Sequence, residues 1–429
     1  MTNPGLFACR LVIAASLAAA GPAITVVLAA EPGSGATGRG APGQPPNPRD
    51  ADAKRPPVPQ ILRCTPPTGE SVSADVVLKE MRDGKDVDLR GKLIEGSLEA
   101  DLVWPPGDDR KVSLRVIAGK VNIESSRITG RFAFPRCVFA QGLGLPCTEI
   151  RGDLDLSDSH VRGPLNAAHT RVLGEIRALR LDVSGPFSFA DGVAGERIDL
   201  TSARIDGPVD FSGAELSRDI EITKAVVGGI DFSSAQVAGL TKLEDVLVLG
   251  EAAFRDGKFN EGLQIESLRS VGSLDLDGAR GKGEISLREC VVGSDFLLAL
   301  GVGGPVGVSG VVVARDLSLL DGRFASLTID RARIGNGSEL DGVRVAGRLS
   351  IRDSDFGKSF SATDAYFEGI SEFTRVRFPG EDPLAGVVFR HAPALVDTVL
   401  PRPPTVESED ENPGDDESDD EGDDGGDSR

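Results

Sequence analysis

Carboxylates, imidazoles and thiols are the groups in this chain that could do chemistry, and their spacing limits what that chemistry can be. Asp210 and Asp231 lie 21 residues apart, with Asp275 further on. A glycoside hydrolase needs two carboxylates about 5–10 Å apart in a cleft. Only three histidines are present, His160, His169 and His391. A Ser-His-Asp set needs a histidine within reach of the nucleophile, and a zinc site needs several convergent ligands. Five cysteines, Cys9, Cys64, Cys137, Cys147 and Cys290, are too few to staple 429 residues into a disulfide scaffold. No Gly-rich phosphate loop precedes a helix. The expectation is a chain with no catalytic, cofactor-binding or metal-ligating set, hence not an enzyme.

The elements that must position these residues come from one internal repeat. Twenty-four units run from Gly119 to the unit opening at Gly369, all of 11 residues except three of 10. Position 5 is apolar in all 24, from Ile123 to Phe373, and positions 3 and 10 are apolar in 21 each. Position 8 is Ala, Gly, Ser, Thr or Cys in 18. Residues 207–217, GPVDFSGAELS, show the unit plainly. Apolar positions two apart, 3 with 5 and 8 with 10, are strand geometry, whereas a helix needs neighbours at 3.6. Strands this short bury a face only by stacking, so the pattern predicts a parallel solenoid. Four strand-and-corner segments per coil need two units, which predicts about 12 coils at a spacing of about 4.8 Å. Glycine at position 1 is expected to supply corners with positive φ.

In this register Asp210 and Asp231 fall at position 4, one coil apart, on a flat wall. Position 4 is acidic in 8 of 24 units. Position 9 is basic in ten: Arg127, Arg171, Arg204, Lys258, Arg269, Arg280, Arg323, Arg333, Arg344 and Arg377. Acidic and basic faces should therefore alternate around the coil. They either balance charge or form a docking surface for a charged polymer or protein. His160 and His169 sit at positions 9 and 7, on different faces. Cys137 and Cys290 take the small inward slot at position 8, as packing thiols. Cys147 falls at a corner, where a disulfide to Cys64 is open to it if the chain is exported.

The short motif small-x-Leu/Phe-x-x, as in Ala203-Arg204-Ile205-Asp206-Gly207 and Ala214-Glu215-Leu216-Ser217-Arg218, resembles the pentapeptide-repeat family. Residues 75–96 are similar to the leader found before such repeats in bacterial and archaeal members. The resemblance covers about residues 71–379 and implies an all-β, right-handed quadrilateral parallel β-helix with a short N-terminal helical cap. This chain departs from the family by one extra residue in every second pentapeptide. Some members of the family resemble duplex DNA and block topoisomerases, which is one alternative reading. A polysaccharide-active β-helix enzyme is the other.

The flanks set the organisation. Residues 1–30 carry one Arg and then an uncharged apolar run at 11–30, read as a signal peptide or membrane anchor. Residues 31–60 form a Pro/Gly-rich disordered linker. A helical cap is expected over 61–84, with a short helix at 73–83, then the repeat domain at 85–379, interrupted by a loop at 101–111. An irregular C-terminal cap at 380–406 precedes a disordered acidic tail at 407–429. That tail holds 13 acidic residues and one Arg, most of the chain's net charge of −20. The negative charge excludes a basic nucleic-acid binder, and the near-neutral repeat argues against DNA mimicry. The function expected is that of an exported scaffold or binding module in the cell envelope, periplasm or outside the cell. Its partner would be a protein or envelope polymer, with possible membrane attachment through residues 11–30, no nucleic acid and no cofactor.

Overall fold

A computed structural model describes residues 64, 67, 69–104, 115–301, 303–380, 382–398 and 405–406. The expected signal segment, linker and acidic tail lie outside these residues, as does most of the loop expected at 101–111. The described chain is a parallel β-solenoid. In chain order each coil builds four walls, here I to IV. Wall I takes strands such as Val121–Glu124 and Leu143–Gly144, and wall II takes Arg127–Ile128 and Glu149–Ile150. Wall III takes Phe132–Ala133 and Leu154–Asp155, and wall IV takes Cys137–Phe139 and His160–Val161. Pairing partners are 22 residues apart in most coils, as Leu143 with Leu165 and Glu149 with Arg171. They are 21 apart where a 10-residue unit intervenes, as Val226 with Leu247.

Wall III has 14 strands, from Leu98–Glu99 to Ala394–Val396, so the solenoid has two coils more than the 24 units provide. At the C-terminal end the eleven-residue register runs on through residues 380–398. Val387 and Phe389 are buried there, and Gly386 and Asp397 take the same left-handed corner as earlier units. At the N-terminal end, Val87–Arg90 and Leu93–Glu95 already pair with the first counted unit. There the offset rises from 22 to 34, as Val87 with Val121, because the chain leaves the coil after Ala100. A short helix, Ala100–Val103, opens that excursion.

The cap helix is Ala74–Arg82. Ser73 caps it, its hydroxyl accepting from the Asp75 N–H, and Gly84 at φ 72 follows its C-cap residue Asp83. Ala74, Val77, Leu78 and Met81 face the core at the i, i+3, i+4, i+7 spacing of one helical face. Val76, which reads as part of that face in sequence, is 52% exposed. The helix follows a wall II strand, Ser71–Ser73, and takes the place where further wall strands would start, covering the apolar end of the first coil.

The interior is one apolar column set. Position 5 supplies Phe189, Phe211, Phe232 and Phe254 on consecutive coils, all buried. Phe211, Phe232 and Phe254 stack with ring centroids 5.0 and 5.5 Å apart, near the strand spacing itself. The corner that makes this possible is not where the glycines predict. In 23 of the 24 units position 7 is left-handed, and in 19 of those it is not glycine, for example Arg136, Asp158, His169 and Asp245. Among the position-1 glycines of these units only Gly163 has positive φ. Those glycines are required for close approach instead: a Cβ on Gly283 would lie 2.2 Å from the Glu261 carbonyl oxygen, and one on Gly369 2.0 Å from that of Gly347.

Candidate functional site

Each group that could do chemistry is first a part of this corner. Asp210 and Asp231 are in register on adjacent coils of wall I, as the spacing predicts. Asp210 Oδ1 accepts from the Ser212 N–H at 2.9 Å, and Asp231 Oδ1 from the Ser233 N–H at 2.7 Å. Asp155, Asp199 and Asp275 make the same bond to the N–H two residues on. Position 4 carboxylates thus close the turn into position 7, the ordinary use of Asp before a turn. Asp275, 1% exposed, also pairs with Arg255, which reaches Glu251 as well. Burial raises the neighbouring Asp277, with Asp275 and Asp256 adding to the shift.

The histidines are apart. His160 on wall IV meets Asp182 of the next coil, Nδ1 to Oδ2 at 3.1 Å. His169, at the corner, lies 3.7 Å from Asp191. His391 is exposed near the C-terminal end. Among the described residues no group of three or more His, Cys, Asp or Glu converges as metal ligands do.

Position 8 shows what the small inward slot does. Thr148, Ser159 and Thr170 donate to the carbonyls of Ile123, Phe134 and Leu145, each 25 residues earlier, at 2.7, 2.6 and 2.5 Å. Position 8 thus satisfies a carbonyl at the corner of the coil below, where the left-handed residue interrupts regular pairing. Cys290 takes the same slot, its Sγ 3.7 Å from the Ile265 carbonyl. Desolvation pushes the Cys137 thiol up to about 12 and Cys290 to about 11, so both are inert packing groups. Cys64 and Cys147 form a disulfide with Cα atoms 5.3 Å apart, which ties the segment ahead of the cap to a corner of wall I.

The position 9 cations divide between walls II and IV, which are opposite. Arg127 pairs with Glu149 at 3.0 Å, Arg204 with Asp206 at 3.3 Å and Arg377 with Asp355 at 2.7 Å. Lys258, Arg280, Arg323 and Arg344 of wall II are exposed and make no ion pair within the described residues. The acidic corner residues Asp321 and Asp364 flank them, so the strip carries both signs.

Wall III holds a feature that no single repeat unit displays. Along its first coils long charged side chains pair across the surface. Arg131 meets Glu99, Arg177 meets Glu175 and Asp153, Arg197 meets Glu175 and Asp199, and Lys242 meets Glu244. Then position 4 turns small on four consecutive coils, Ser286, Gly307, Thr328 and Ser350. A trough of about 460 Å³ opens over the first three, with Arg352 of the fourth strand on its rim. Arg352, which pairs with Glu372, closes its far end. The signal lay in the sequence, in position 4 taken from alternate units only; pooling all 24 units hid it. No protein family, curated protein or solved structure matches this chain.

Proposed function

We propose that this protein is a non-enzymatic, exported solenoid, similar to pentapeptide-repeat proteins, that serves in the cell envelope as a scaffold and binding module. The Cys64–Cys147 disulfide carries the reading. Disulfides persist in oxidising compartments, and this one lies downstream of an uncharged apolar run at residues 11–30. The carboxylates and histidines that sequence alone offers for catalysis are spent on corners or on separate pairs, which favours binding over turnover. Long walls without inserted loops beyond Gly119 offer a broad surface instead. Among the described residues no helix is long and apolar enough to cross a membrane.

Fractionation of the native host with protease shaving, followed by N-terminal sequencing and thiol counting of the recovered chain, tests this. The expected result is recovery outside the cytosol, either starting near residue 31 or tethered by residues 11–30, with Cys64 and Cys147 blocked until reduction. Recovery from the cytosol with Met1 intact and both thiols free would overturn it.

A further inference from the structure

The trough on wall III differs from the rest of the solenoid surface in how its polar groups are used. Along the first coils of this wall carboxylates and guanidiniums pair with one another. Here the Ser286, Ser326 and Thr328 hydroxyls, the Glu284 carboxylate and the Arg288 guanidinium have no partner within the described residues. Ser286 lines the trough floor, between the inward-facing Ile285 and Leu287, and is in register with Gly307 of the next coil. It is 6% exposed, and its hydroxyl has no hydrogen-bond partner within the described residues. A buried hydroxyl left unsatisfied costs free energy unless something else supplies the bond.

The chemistry of the rim selects the ligand class. Glu284 and Asp330 balance Arg288 and Arg352, so the trough carries no net charge and favours neither a polyanion nor a polycation. Hydroxyls that both donate and accept, set between carboxylates and guanidiniums, match a ligand whose own groups do both, which is what sugar hydroxyls do. The floor crosses four strands, about 14 Å at about 4.8 Å per strand, enough for a short run of sugar rings along the solenoid axis. We propose that this trough binds a neutral glycan chain lying along the axis, with its hydroxyls bonded to Ser286, Ser326, Thr328, Glu284 and Arg288. The proposal rests on the envelope reading above for the presence of such a glycan, but its test does not.

The mature chain is titrated by calorimetry with maltohexaose, cellohexaose and chitohexaose, and with an oligogalacturonate of the same length as the charged control. Gly307→Gln fills the trough. A Cβ at Gly307 meets nothing nearer than Glu284 Oε1 at 3.7 Å, so the backbone accommodates it. The double variant Ser326→Ala with Thr328→Ala removes two hydroxyls and little volume. Thr201→Gln, on the same wall outside the trough, is the control. Saturable binding of at least one neutral hexaose is expected, weakened about tenfold or more by each trough variant and unchanged by the control. Circular dichroism confirms that the variants are folded. Binding of none of the neutral probes, preference for the galacturonate, or affinity unchanged in both trough variants would overturn the proposal. A cytosolic location with intact titration would remove the envelope reading alone; an envelope location with no titration would remove the glycan alone.

Discussion

At the residue scale, identity follows from corner geometry more than from reactivity. In the left-handed column at the corner between walls III and IV, charged residues on neighbouring coils alternate in sign: Arg136, Asp158 and Arg180; Lys224 and Asp245; Arg331, Asp353, Arg375 and Asp397. Arg180 donates to both oxygens of Asp158 at 2.5 and 2.7 Å, and Arg375 to both of Asp353 at 2.6 and 2.8 Å. These bonds hold both carboxyls below the usual range. A lowered folded-state pKa stabilises the fold above the ordinary carboxylate range, and the contribution is lost as pH falls through the folded value. Asp158→Asn should therefore melt slightly below the parent at about pH 7, with the gap closing below about pH 4. The effect is small because the pair is on the surface. A gap that widens in acid would reject the assignment. The buried thiols give a second test. With Cys137 near 12 and Cys290 near 11, iodoacetamide at about pH 8 should leave both untouched in the folded chain and modify both in guanidinium. Mass spectrometry reads this directly, and fast labelling of either thiol under native conditions would contradict its inward slot.

At the scale of the repeat unit, two kinds of corner residue oppose each other. Where position 1 is glycine, as at Gly272, Gly283 and Gly369, the preceding coil's backbone occupies the space a Cβ would take. Position 7 needs a left-handed backbone, which costs a non-glycine residue about 1–2 kcal/mol. Gly283→Ala should destabilise by about 1–3 kcal/mol, as overpacking does, since its Cβ would meet the Glu261 carbonyl at 2.2 Å. Ser234, at φ 59, makes no side-chain hydrogen bond within the described residues. For Ser234→Gly the relieved strain exceeds glycine's entropic cost of about 0.5–1 kcal/mol only modestly, so stability should rise by about 1 kcal/mol or less. Urea midpoints measure both, and the opposite order would show that the two positions had been interchanged. The unit opening at Ser294 shows how the corner absorbs a deletion. Its ten residues place buried Leu300, not a left-handed residue, at the seventh position. Leu300 thus behaves as the inward residue of position 8, and the missing residue is one from the turn.

At the scale of the whole solenoid, stability is a sum over neighbouring coils. The stacked column of Phe211, Phe232 and Phe254 lies in its middle, so Phe211→Asp puts an unpaired charge where no water reaches. That substitution should abolish the native circular dichroism and open the middle coils to protease; a soluble variant with the parent spectrum would refute the register. The parallel coil, its four walls and its inward columns were legible in the sequence because every unit must bury positions 3, 5, 8 and 10 against its neighbours. The same periodicity placed Asp210 beside Asp231 and set Cys137 and Cys290 inward. Two coils went uncounted because the strands at each end pair across an offset of 34 or carry weaker apolar signals, as at Ala394–Val396. Tertiary structure alone decided that the positive φ falls at position 7, since many residue types tolerate it once position 8 satisfies a corner carbonyl and a position 4 Asp accepts from the N–H two residues on. It alone decided that Cys64 reaches Cys147 across 83 residues, because nothing local fixes the path between them. The trough was decided there too. Its polar groups come from coils 21 or 22 residues apart, and only stacking reveals which of them find partners and which are left to meet a ligand.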